Sequence, residues 1–212
     1  TVMATRYLGV YLGGPQAVAH VWETRVAGAI TQRINELLRV GAPPTYYGRN
    51  TAMKTLVFSK AIFYLTNQVP QGLGDLLARW QRECDELLWN THAADDRAAL
   101  GGRRDAPQLV ARATMVQDHG DGGTRALAVA EFVDALHATW VIRLLDPAPQ
   151  PWKNILWAMI NSSSGHLQQG ERLLTSSAVL DTLHQDGMPL LFRRALRAWT
   201  KMPTPTMAEG VT

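Results

Sequence analysis

Gly48-Arg49-Asn50-Thr51-Ala52-Met53-Lys54-Thr55 opens an apolar run, Leu56-Val57-Phe58-Ser59-Lys60-Ala61-Ile62-Phe63-Tyr64-Leu65, and the run carries a second lysine. Between Glu36 and Asp75 there is no acid, whereas Arg39, Arg49, Lys54 and Lys60 are all basic. A segment that is both core-forming and exclusively basic buries one face and turns the other toward something negative. A phosphate backbone is the first candidate. The run is apolar nearly all round, which predicts a central helix over about residues 51 to 66 with Asn50 as its N-cap.

Working outward, Val18, Trp22, Val26, Ile30, Ile34 and Leu37 step by three or four residues and predict an amphipathic helix, ended by Gly41-Ala42-Pro43-Pro44. Leu73, Leu76, Leu77, Trp80, Cys84, Leu87 and Leu88 predict another, with Asp75 suited to its positive N-terminal end. Tyr7-Leu8-Gly9-Val10-Tyr11-Leu12-Gly13-Gly14 reads as one strand. Periodicity fades from Asn90 to Arg125, where Leu109 to Val116 reads as a strand between two glycine-rich loops. Helical spacing returns at Val129, Phe132, Val133, Leu136, Trp140 and Leu144 and stops at Asp146-Pro147. Pro151 starts a short helix through Ile160, and Leu173 to Leu183 reads as helical. In the last element, Met188 to Lys201, Phe192, Leu196 and Trp199 share one side, while Arg193, Arg194, Arg197 and Lys201 gather on another.

The bulk composition sets limits. With 212 residues, 46% hydrophobic and 18% charged, the chain has material for a real core and too little charge for disorder. A net charge of +3 permits a nucleic-acid partner without demanding one. A single cysteine, Cys84, excludes an internal disulfide, and its place on an apolar stripe marks it as a small core residue. No window approaches a membrane span, and Thr1 to Arg6 lacks the apolar centre of a signal peptide. We therefore expect an intracellular, non-secreted protein in no specified compartment, with no membrane partner. Both ends read as cut from something longer, the last one as a linker rich in Pro and Thr.

Catalytic constellations are sparse. Asp95-Asp96 is a carboxylate pair, but no apolar strand flanks it as two-metal chemistry requires, so it reads as a solvated loop. His20, His92, His119, His137, His166 and His184 form no zinc-ligand spacing, and no metal site is expected. His119 and Asp121 could form an acid–base pair, although a hydrophilic loop accounts for them equally. Seven tryptophans point chiefly to core packing. Stacking on nucleic-acid bases needs an aromatic exposed beside a cation, for which Trp199 is the first candidate and Tyr46 and Tyr47 the second.

The order of these features resembles a family, the non-LTR (LINE-type) retrotransposon reverse transcriptases, in the segment behind the catalytic palm. The carrying motifs are the Tyr-Leu-Gly-Val-x-Leu-Gly strand (Tyr7 to Gly13) and a helix bearing Trp22. They continue with the Gly-Arg-x-x-x-x-Lys segment (Gly48, Arg49 to Lys54) and Leu87-Leu88-Trp89. Gly122-Gly123 follows, then Ala135-Leu136 with Trp140, Arg143, Leu144 and Leu145, and Pro151-Trp152-Lys153 closes the set. The likeness covers about residues 6 to 157. Tyr46 and Tyr47 depart from the family's usual Ser-Leu, and Gln117 to Thr124 departs from its Pro-(Lys/x)-x-x-Gly-Gly-Leu-Gly turn.

The resemblance implies the thumb and connecting region of an RNA-directed DNA polymerase, holding RNA or an RNA–DNA hybrid by backbone contacts that read no sequence. The palm and fingers, with the aspartate pair and its Mg²⁺, would lie upstream of Thr1. The chain is then no enzyme by itself, with no catalytic residue and no cofactor of its own. The expected fold is mainly α, a helical bundle with a short N-terminal strand and an irregular, partly β middle stretch. Its expected parts are a thumb-like bundle (1–90), an irregular linker (91–125), a second helical region (126–202) and a flexible tail (203–212). Arg49 and Lys54 are the leading phosphate contacts; Lys60, Arg39 and the Arg193, Arg194, Arg197 and Lys201 face come second. The alternative is a helical protein–protein interaction module, or a degenerate retroelement relic that binds no nucleic acid.

Overall fold

The computed structural model describes residues 4–7, 10–41, 43, 45–89, 110–164, 174 and 187–202. Asp95-Asp96, the expected Leu173–Leu183 helix apart from Leu174, and the expected tail 203–212 lie outside them. The fold is mainly α, in two compact units, Thr1–Val133 and Asp134–Thr212.

The first unit begins with a hairpin. Strand β1 (Ala4–Tyr7) pairs antiparallel with β2 (Val10–Gly13), Ala4 opposite Gly13 and Tyr7 opposite Val10. The expected single strand is corrected to two, because backbone donors and acceptors need partners and the preceding residues supply them. Helix α1 (Pro15–Val21) runs through a wider π-helical turn, Trp22–Ala27, into α2 (Gly28–Val40). Along this rod Trp22, Val26, Ile30, Ile34 and Leu38 are buried at intervals of four. A stripe of period four drifts round an α-helix by about 40° per step. The π turn, bonded i to i+5, takes back part of that drift.

The quoted stretch repeats the device. Helix α3 (Tyr46–Ala52) continues through a π turn, Met53–Val57, and a 3₁₀ turn, Phe58–Lys60, to α4 (Ile62–Asn67). Arg49, Met53, Val57, Ala61 and Leu65, again four apart, are its buried stripe. The helix starts earlier than expected: Thr45, not Asn50, is the N-cap, its Oγ1 accepting from the Gly48 amide at 3.0 Å. Gly48 is required there, since a Cβ would lie 2.8 Å from the Pro43 Cβ. Helix α5 (Leu73–Trp89) buries Leu73, Leu77, Trp80, Cys84, Leu87 and Leu88, close to the expected stripe. Phe58 joins the core by edge-to-face contacts with Trp80 (6.1 Å) and Phe132 (6.0 Å).

Residues 110–127 correct the expected linker and strand. Arg112–Val116 is a helix, α6, followed by a 3₁₀ turn, His119–Asp121. Among its apolar side chains only Met115 is buried, so no alternating apolar face exists for a strand to present. This segment belongs to the first unit. Arg112 bonds both Asp85 oxygens at 2.7 Å, and Gln81 accepts from the Val129 amide at 2.8 Å. Within 110–127 no strand occurs among the described residues. The unit boundary falls between Val133 and Asp134, inside helix α7 (Val129–Leu145), and not in the 91–125 interval.

In the second unit α7 leads to α8 (Pro151–Ser164) and later α9 (Leu190–Thr200). Val141, Leu144, Leu156, Ile160, Leu174, Met188, Ala195 and Leu196 form its core, rimmed by Trp140, Trp152, Phe192 and Trp199. Lys153, 7% exposed, closes the connection before α8 by donating to the Asp146 (2.5 Å) and Ala148 (2.7 Å) carbonyls.

Two outcomes test the first core. Burial pushes the Cys84 thiol well up, and the Asp85 and Glu83 charges add to that. It is expected to ignore an aromatic disulfide reagent in the folded protein and to react once urea unfolds it. Arg49→Ala is expected to cost about 2 kcal/mol, because one buried and one half-buried carbonyl lose their donor. Arg49→Lys should recover little, lacking the guanidinium fork; urea unfolding followed by tryptophan fluorescence measures both.

Candidate nucleic-acid interface

The structure separates the expected phosphate contacts by what already holds them. Arg49 is 7% exposed; its Nε donates to the Pro43 carbonyl at 2.8 Å and its Nη1 to the Leu88 carbonyl at 2.9 Å. It is a structural crosslink and not a surface cation, which corrects its leading place. Its stripe position, four residues before Met53, is what buries it. Arg39 is exposed but stands on a cleft also lined by Glu23, Glu36 and Glu83, an acidic setting for a phosphate. Arg79 reaches Glu23 there at 2.5 Å, and burial raises the Glu83 carboxyl above its usual range. Lys60 ends the 3₁₀ turn, and its side chain lies outside the described residues.

In the second unit the basic face of α9 is partly answered by an acid that the local sequence did not show. Asp134, 7% exposed, accepts from Arg194 Nη2 at 3.4 Å and from Lys201 Nζ at 2.6 Å. Arg193 is half-buried, and Arg197 is exposed. Trp199 is corrected as a stacking candidate: it is half-buried and its indole N–H donates to the Leu174 carbonyl at 2.6 Å. Tyr46 is corrected likewise, packed on Trp89 at 5.6 Å with its hydroxyl on the Met115 sulfur.

Lys54 and Tyr47 remain, both exposed on the helix that begins at Tyr46. Each meets the 118–125 loop. The Lys54 Nζ donates to the Arg125 carbonyl at 2.6 Å. Partial burial pushes its ammonium below the usual lysine range, and the nearby Arg125 guanidinium pushes it further. Arg125 is 60% exposed along its side chain and donates Nε to Asp118 at 2.6 Å. Among the described residues no acceptor is recorded for its Nη groups. The Tyr47 ring lies 6.2 Å from that of His119, tilted by 41°.

Two features fix this loop. Asn50, 3% exposed, accepts from the Leu127 amide at 3.2 Å and donates to the Thr124 (3.3 Å) and Arg125 (3.1 Å) carbonyls. Gly123 packs so closely that a Cβ would lie 2.1 Å from the Gln117 carbonyl oxygen. Arg125 takes φ +51°, an unusual left-handed conformation for a non-glycine residue. Sequence reasoning missed Arg125 and His119 as partners of Lys54 and Tyr47, because more than 70 residues separate them. The Gly122-Gly123 pair was the one local sign of a sharp return. Among the described residues no group of three or more His, Cys, Asp or Glu is placed to hold a metal ion.

Asn50→Ala removes all three side-chain bonds to the loop. It is expected to cost about 2 kcal/mol and to strip the Leu127 amide of its hydrogen-exchange protection before the helical amides lose theirs. Amide exchange followed by NMR reads both. No protein-family model, curated protein or solved structure matches the chain.

Proposed function

We propose that this chain holds nucleic acid by its phosphate backbone, without reading sequence, as a non-catalytic part of a retroelement-type reverse transcriptase. The observation that carries the reading is the exposed pair of cations, Lys54 and Arg125. They sit close enough for the guanidinium to depress the lysine's proton affinity. Two like charges on one face repel, and a phosphate oxygen between them relieves that repulsion while accepting hydrogen bonds from both. The acid-free run between Glu36 and Asp75 supports the same reading, as does the order of motifs from Tyr7 to Lys153. Arg197, exposed on α9, is a weaker phosphate contact. The palm and fingers of the parent polymerase, with their Mg²⁺, would supply the chemistry.

A second reading, a helical protein-interaction module, is favoured by one observation. Leu56, Ile62 and Phe63 are 49%, 37% and 47% exposed on the same acid-free run. Partner binding through that patch would change little with salt.

Titration of an RNA–DNA hybrid duplex at several salt concentrations decides between them. The affinity is expected to fall steeply with salt, and Lys54→Ala/Arg125→Ala to flatten the log–log slope by about two units. Arg194→Ala, which removes a cation already held by Asp134, should leave the slope close to that of the unchanged protein. No binding at low salt overturns the proposal.

A further inference from the structure

We infer that Tyr47 and His119 form a stacking step for an unpaired nucleobase. The site therefore takes single-stranded RNA or DNA, or the overhang beside a duplex end, rather than duplex alone. This inference rests on the phosphate reading above and adds to it the class of strand that the site admits.

Four observations converge. Tyr47 is 64% exposed, and among the described residues its one recorded ring contact is His119. Most of its ring area is therefore open to solvent, unlike Trp22 and Trp80, which are fully buried. The tilt of 41° is neither an offset stack nor an edge-to-face contact, so the pair is not completed by its own packing.

Second, the backbone that carries Tyr47 and the ring of His119 are held in place. Tyr47 stands in the first turn of α3, capped by Thr45 and tightened by the Gly48–Pro43 approach. The His119 Nδ1 lies 3.1 Å from the Gly123 carbonyl. A carbonyl only accepts, so Nδ1 carries the proton, and in the neutral ring Nε2 keeps a lone pair for a base N–H or a sugar hydroxyl. A preorganised ring such as that of His119 loses little conformational entropy on binding.

Third, the cations are adjacent. Lys54 follows Tyr47 by seven residues, about 10 Å along the helix. Arg125 is tied to the residue before His119 through its bond to Asp118. An open ring beside two cations is the arrangement that binds single strands, the backbone by charge and the bases by their faces.

Fourth, the ring excludes duplex as its ligand. A paired base inside a helix has both faces covered by its neighbours, so only an unpaired or terminal base can lie on Tyr47. Every base has a π-face, so this contact adds affinity without reading sequence.

The test uses the full 212-residue chain and a single-stranded oligonucleotide carrying the fluorescent base 2-aminopurine, with a long RNA–DNA hybrid, whose two ends are few against its interior sites, in parallel. Binding is expected to quench the 2-aminopurine. Tyr47→Ala should abolish the quench and weaken single-strand binding about tenfold or more, while leaving hybrid binding and its salt slope unchanged. Tyr47→Phe, which keeps the ring, should keep both quench and affinity, and His119→Ala should weaken the single strand alone. Tyr47 is exposed, so thermal unfolding is expected to show all three variants folded. Salt-dependent binding of the hybrid, with no quench and no loss in Tyr47→Ala, overturns the stacking step and leaves the phosphate reading standing. Absence of salt-dependent binding to either ligand overturns both.

Discussion

Two adjacent polar side chains, Arg49 and Asn50, are buried in the helix that opens the quoted stretch, and the first unit is organised around them. A buried guanidinium must find acceptors or the fold loses several kcal/mol. Arg49 finds one in the connection before its own helix and one at Leu88, close to the C-terminus of α5. The last carbonyls of a helix have no partner within it and carry its negative end. The arginine thus answers two needs at once, a hydrogen bond and a charge. Asn50 does the corresponding work for the 124–127 return with three hydrogen bonds. The polar pair ties the quoted helix to α5 on one side and to the loop on the other.

The helical stripes were legible because they are local. Val26, Ile30 and Ile34, or Leu77, Trp80 and Cys84, declare a face by spacing alone, and those residues are buried. The π turns were not legible in advance, although their cause stands in the sequence: a buried stripe of period four on an element of period 3.6. The strand expected at 109–116 failed for a related reason. Its composition suited a sheet, but no further strand is there to pair with it among the described residues, and Met115 needed only one turn of helix to reach the core.

The charges were least legible, because a cation's role depends on what the fold sets beside it. Arg49 and Lys54 look alike in the sequence, yet one is a crosslink and the other lies on the surface. Arg194 and Lys201 looked unopposed until α7 brought Asp134 to them. Arg125 drew no notice in a glycine-rich loop, and its neighbourhood with Lys54 arises because Asn50 and Lys54 both donate to its carbonyl. Fewer cations stand clear of other side chains than a count of arginines and lysines suggests, and the Lys54–Arg125 pair is made from two stretches far apart in sequence.

That pair is also under electrostatic strain, and the sign of the strain bears on its use. Folding pushes the Lys54 proton affinity down through burial and through Arg125. A base with a depressed folded pKa disfavours folding while it is charged. Stability is therefore recovered as pH rises through the interval between the folded and the unfolded lysine values. On the proposed reading, a phosphate placed between Lys54 and Arg125 would reverse the repulsive contribution and draw the lysine's proton affinity back up. An acceptor such as Asp118 on both cations would have relieved it within the fold; it reaches Arg125 alone. Among the described residues Lys54 has a carbonyl as its hydrogen-bond acceptor and no carboxylate, and the exposed Tyr47 ring stands two turns earlier on the same helix.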